Sequence, residues 1–108
     1  MNRTAVPYSE AEFLSQIVEV AQLHGWLAHH TRPAWSSKGY RTPIQGDPGF
    51  PDLVLVRPPL IIMVEVKSER GRLSPAQQRW IAALEVCTSA DFRIWRPSDW
   101  DRIVETLR

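Results

Sequence analysis

A chain of 108 residues, 44% hydrophobic and 23% charged, has the size and balance of one compact domain covering 1–108, which excludes a disordered polymer. A net charge of +1 excludes a strongly basic DNA-coating protein, and the lack of a run of about 18 apolar residues excludes a membrane span. The start, MNRTAVPYSEAEF, has no apolar signal core, and the lone Cys87 has no internal disulfide partner, so a reduced, cytoplasmic setting is expected.

Charge is unevenly spread. Residues 32–72 hold seven Lys/Arg against four Asp/Glu, whereas residues 1–31 hold one Arg against three Glu. The middle third therefore carries the positive excess, either as a solvated surface or as a contact for phosphates.

In chain order, Ser9 is placed to cap a helix starting at Glu10, with Phe13, Leu14, Ile17, Val18, Val20 and Ala21 at helical spacing and Gly25 at its end. Residues 26–30 (WLAHH) read as a short strand, and one of His29 and His30 is expected to face the core. Residues 31–51 are rich in Gly, Pro and Ser and read as a long loop, mobile without a ligand. Trp35 in that loop is a candidate to stack on an unpaired base. Residues 52–56 and 60–67 read as two strands of a hairpin around Arg57-Pro58-Pro59. Ser74-Pro75 opens a helix running to about Cys87, 92–96 is a last strand, and Ser98 or Asp99 caps a terminal helix ending near Leu107. The order α-β-β-β-α-β-α predicts an α/β domain, a single mixed sheet flanked by helices.

Polar residues in the longer strand are the anomaly. Side chains alternate along it, so Glu65 and Lys67 share one face, while Leu60, Ile62, Val64 and Val66 turn to the other. A carboxylate and an ammonium in an apolar strand cost desolvation free energy unless paired or bound to something. The hairpin can bring Asp52 beside Glu65. Two adjacent carboxylates suit a hard divalent cation such as Mg²⁺ or Mn²⁺, which keeps several waters. Lys67, one step away, could orient or deprotonate a water or stabilise charge on a phosphorane. These parts suit phosphodiester hydrolysis. The bland alternative is a Glu65–Lys67 ion pair at a strand end.

The pattern Gly49-Phe50-Pro51-Asp52-Leu53, then Glu65-Val66-Lys67, then Gly71-x-Leu73-Ser74-x-x-Gln77-x-x-Trp80 resembles the VRR-NUC domain of the PD-(D/E)XK nuclease superfamily. The segment Trp95-Arg96-Pro97-Ser98-Asp99 is similar to the ends of small phage-type members. The resemblance implies a restriction-endonuclease-like core and a residue-by-residue site. Asp52 and Glu65 match metal-binding carboxylates, the Val66 carbonyl matches a further metal ligand, Lys67 matches the catalytic lysine, and Gln77 matches the glutamine of the following helix. Gln77 has a local alternative, because Ser74-x-x-Gln77 is also a capping box.

An acid on the first helix commonly joins such a site. A helical wheel places Glu10 in line with Leu14, Ile17 and Ala21, with Glu12 the alternative.

The reading that follows is a Mg²⁺- or Mn²⁺-dependent endonuclease acting on branched or junction DNA in replication or repair, in a bacterial or phage-infected cell. Lys38, Arg41, Arg70 and Arg72, with Arg32, are candidate phosphate contacts. A homodimer is expected to present paired sites, with Trp100, Ile103 and Leu107 either forming its contact or covering the sheet of one monomer. The alternative from another class is a DNA-binding module that keeps the fold without catalysis. A nuclease acting on RNA is a third reading.

Overall fold

The computed structural model describes residues 9–31, 34–36, 39–41 and 44–108, with 34–36 and 39–41 as backbone alone. The elements are helix α1 (Glu10–Leu23), strands β1 (Leu27–His30), β2 (Ala34–Ser36), β3 (Gly39–Arg41), β4 (Leu53–Arg57) and β5 (Leu60–Val66), helix α2 (Pro75–Glu85), strand β6 (Asp91–Trp95), a 3₁₀ turn (Pro97–Asp99) and helix α3 (Trp100–Leu107).

The main sheet has four strands in the order β1-β4-β5-β6. Strands β1/β4 and β4/β5 pair antiparallel, while β5 and β6 run parallel across α2, so the sheet is mixed as expected. Alternation along the central strands separates its faces. Leu53, Leu55, Ile62, Val64 and Val66 are buried on one side with Phe13, Leu14, Ile17, Ala21, Ile103 and Leu107 from α1 and α3. Helix α2 lies on the other side, where it meets Glu65.

Both long helices start as local chemistry dictates. Ser9 and Glu12 exchange hydrogen bonds, as do Ser74 and Gln77, making two capping boxes. Gly25 leaves α1 at φ +85°, a conformation that glycine adopts without strain.

One expectation needs correction, and two open alternatives are decided. Part of the proposed loop is ordered as a separate antiparallel ribbon, β2 with β3, in which Trp35 and Tyr40 are register partners. Aromatic residues favour strands, which offsets the Gly and Pro around them. Residues 31 and 44–51 carry no helix or strand, as expected of a loop, while 32–33, 37–38 and 42–43 lie outside the described residues. Of the two histidines, His30 is the one that turns to the core side: it is half-buried opposite Leu53, while His29 is exposed on the other face, its Nε2 3.3 Å from Thr31 Oγ1. The α3 stripe serves the monomer, since Ile103 and Leu107 are fully buried and Trp100 packs on Phe13 at 6.5 Å between ring centroids.

Arg57 closes the end of the molecule away from Asp52. Its guanidinium donates to the carbonyls of His24 (3.0 Å), Leu107 (3.2 Å) and Arg108 (3.1 Å) and lies 4.5 Å over the Trp26 ring. It thus neutralises the C-terminal ends of α1 and α3 together. Among the described residues, no helix is long and apolar enough to cross a membrane.

Candidate active site

Asp52 ends the segment that leads into β4. Leu53 pairs with Val64, so continuing the antiparallel register sets Asp52 opposite Glu65. The Asp52 Oδ2 accepts a hydrogen bond from the Val66 amide at 2.9 Å, which fixes the carboxylate against β5.

Among the described residues, Glu65 at 1% exposure and Lys67 at 9% are the buried charged side chains. The Gln77 Nε2 donates to Glu65 Oε2 at 2.8 Å. The same amide accepts at Oε1 from the Ser74 N–H at 2.9 Å. Gln77 therefore caps α2 and bonds Glu65 at once, so the capping box does not take the side chain away from Glu65.

Burial, first, and then the neighbouring Asp52 carboxylate push the Glu65 carboxyl up to about 8 from an ordinary 4.5; Lys67 pulls the other way and Glu10 adds to the rise. A carboxyl held this far up is short of positive charge.

Glu10 stands on the first turn of α1, and its Oε2 accepts from the Ser68 amide at 3.4 Å. The helix-wheel choice is thus consistent with where Glu10 reaches. Glu12 is exposed in the capping box, and its carboxyl is held below the usual range by hydrogen bonds from Ser9. Among the described residues, no three Asp, Glu, His or Cys side chains stand close enough to hold an ion together. The carboxylates that could hold an ion are therefore Asp52 and Glu65, with the Val66 carbonyl, next to Glu65 in sequence, as the further candidate ligand. This is compatible with Mg²⁺, which commonly uses one or two carboxylates and keeps its waters. Glu10 meets the loop after β5 at Ser68, near enough for its charge to act on Glu65.

The loop after β5 is held from a distance. Arg96 Nη1 donates to the carbonyls of Ser68 (2.7 Å), Glu69 (3.2 Å) and Gly71 (2.9 Å). The Ser98 side chain first, and then the Ser98 amide donating at 2.9 Å, hold the Glu69 carboxyl below the usual range. The Lys67 amide donates to the Trp95 carbonyl at 3.0 Å. Nothing local in the sequence marks Arg96 for this work; its place in the Trp95–Asp99 segment is the only signal.

Of the candidate phosphate contacts, Arg70 and Arg72 are exposed on this loop. Arg41 belongs to β3, with its side chain outside the description, and Lys38 and Arg32 lie outside the described residues.

Gly49 makes the approach of the Asp52 segment to α2 possible. It has φ +95°, and a Cβ there would overlap the Ala76 carbonyl carbon and stand 2.7 Å from the Gln77 nitrogen. Gly49→Ala is expected to cost at least about 2 kcal/mol from backbone strain alone. That corresponds to a melting temperature lower by roughly 8 °C or more in a domain of this size. A thermal melt within a degree or two of the parent would refute the close approach.

The model of the VRR-NUC domain family matches residues 8–96. The chain belongs to the VRR-NUC family. A solved structure described as a VRR_NUC domain is similar over 89% of this chain and 94% of that one, with a TM-score of 0.63 and 24% identity. That likeness bears on the fold, which is of the nuclease type. A comparison with curated proteins finds no match. The family match covers α1 to β6, and so includes Asp52, Glu65, Lys67 and Gln77.

Proposed function

We propose that this VRR-NUC protein is a metal-dependent DNA nuclease. The observation that carries the reading is the buried Glu65–Lys67 pair facing Asp52 at the mouth of the β4/β5 hairpin. An apolar strand keeps such groups where they have a task that outweighs their desolvation.

In this reading Asp52, Glu65 and the Val66 carbonyl hold Mg²⁺ or Mn²⁺, with Glu10 at the edge of the site. When bound, the ion supplies Lewis-acid polarisation of the phosphate and a more acidic water. Lys67 places positive charge beside the scissile phosphate and orients the attacking water. Gln77 holds Glu65 in one rotamer, so the carboxylate does not swing into solvent. Arg96 fixes the loop that carries Arg70 and Arg72 towards the DNA backbone.

Branched or junction DNA is the substrate class proposed, in replication or repair, read by a homodimer with paired sites. A two-fold arrangement suits a junction with its own two-fold symmetry.

The test is incubation with linear, single-stranded, flapped and four-way DNA in Mg²⁺ or Mn²⁺, with light scattering on the same samples. Cutting that stops in chelator and favours branched forms is expected. Tight DNA binding with no cutting in either metal would establish the second reading, a binding module with a silent site; the complete Asp52, Glu65 and Lys67 set opposes it.

A further inference from the structure

Helix α2 covers one part of its face of the sheet and leaves a groove beside it. The groove is a cavity of about 790 Å³ that begins at Asp52. Its floor includes His29, Thr31 and Val54, and its wall includes Phe50 and Trp80. His29 and Val54 are register partners on β1 and β4, so the floor is continuous sheet.

The wall is a built feature. Phe50 and Trp80 meet edge-on, with centroids 5.1 Å apart and an interplanar angle of 89°. Trp80 Nε1 donates to the Asp47 carbonyl at 3.3 Å, which ties the wall to α2. Phe50 nevertheless remains 49% exposed, and it lines the groove.

We propose that this groove receives one unpaired DNA nucleotide adjacent to the scissile phosphate, its base against Phe50. This rests on the nuclease reading of Asp52, Glu65 and Lys67. Three observations select the occupant. First, the groove is continuous with the carboxylate site, because Asp52 belongs to both. A phosphate at the carboxylates therefore leaves its neighbouring nucleoside at the mouth.

Second, the size fits a single nucleotide. A volume of about 790 Å³ lies within the roughly 300–1,000 Å³ of pockets that enclose small ligands, and it does not admit a duplex. A paired neighbour would have to leave its stack to enter.

Third, the lining suits a flat, uncharged group. Among the described residues lining the groove the charged side chains are Asp47, which is paired with Arg79 at 3.5 Å, and Asp52 at the mouth. The remaining described lining is aromatic, apolar or neutral polar surface. A base satisfies this, with a π-face for Phe50 and edge atoms for the His29 and Thr31 side chains. Aromatic stacking of a base contributes about 1–3 kcal/mol and tolerates any base identity.

The experiment uses the full chain and DNA in which the nucleotide beside a fixed cleavage point is paired, unpaired, or unpaired but abasic. With Mg²⁺ or Mn²⁺, the unpaired substrate is expected to be cut at least ten-fold faster than the other two. Phe50→Leu keeps apolar packing on Trp80 without a π-face and should collapse that ratio, whereas Phe50→Tyr should retain it. In parallel, 2-aminopurine replaces the same base in metal-free buffer. Its emission should fall several-fold on binding to the parent and Phe50→Tyr proteins, and much less with Phe50→Leu.

Equal cutting of all three substrates overturns the groove proposal and leaves the nuclease reading standing. If no substrate is cut, the nuclease reading fails, and unchanged 2-aminopurine emission at saturation then overturns the groove as a base site as well.

Discussion

Lys67→Met is expected to lose cleavage by roughly 10²–10³-fold at the least, while DNA affinity changes little. Lys67 is 9% exposed at the end of β5, on the face of Glu65, whereas Arg70 and Arg72 are exposed. A group so enclosed can act on one phosphate but cannot track a DNA backbone. Methionine matches the lysine stem, so the variant tests the charge and leaves the packing. Lys67→Ala gives the same direction with a cavity added. Cleavage rates and fluorescence anisotropy on the same branched DNA separate chemistry from binding. Unchanged cutting by pure Lys67→Met would remove the mechanism proposed for this strand.

The second large effect is on the metal-free protein. The Glu65 carboxyl sits at about 8 when folded against 4.5 ordinarily. Between those values the folded chain holds a proton that the unfolded chain has released. Its contribution to stability is therefore complete below about pH 4.5 and is lost as the pH rises towards 8. The melting temperature in chelator should fall over that window. In Glu65→Gln this fall should flatten, since glutamine can still accept from Gln77 and does not titrate.

Mn²⁺ should restore the parent at pH 8, because a cation replaces the proton, and should do little for Glu65→Gln or Asp52→Asn. Calorimetric titration should show weaker metal binding by both variants. Parallel melting profiles for parent and Glu65→Gln would mean that Glu65 is not the acid in question.

The central site was legible in the sequence because it breaks a strong pattern. Two charges in LIIMVEVK can share a face only at a strand's period, and a short hairpin fixes what stands opposite. Helix starts were equally readable, because Ser9-x-x-Glu12 and Ser74-x-x-Gln77 are local devices. The ribbon at 34–41 was hidden, since short strands among Gly and Pro give no periodic signal. Arg57 and Arg96 were hidden for another reason. Each collects carbonyls from segments far apart in the chain, and no local window contains both donor and acceptors. The fate of the α3 stripe was likewise undecidable from periodicity, which says that a face is covered but not by what.

Gln77 has a further consequence. A helix cap of this kind accepts glutamate as readily as glutamine, since only the oxygen is needed to receive the Ser74 amide. The contact with Glu65 needs a donor on the same side chain, and only the amide has one. Glutamate here would satisfy the helix and set one more anion against a carboxylate already crowded by Asp52. Two demands of different origin thus meet on one atom pair, and the residue that satisfies both is narrower than either rule alone would select.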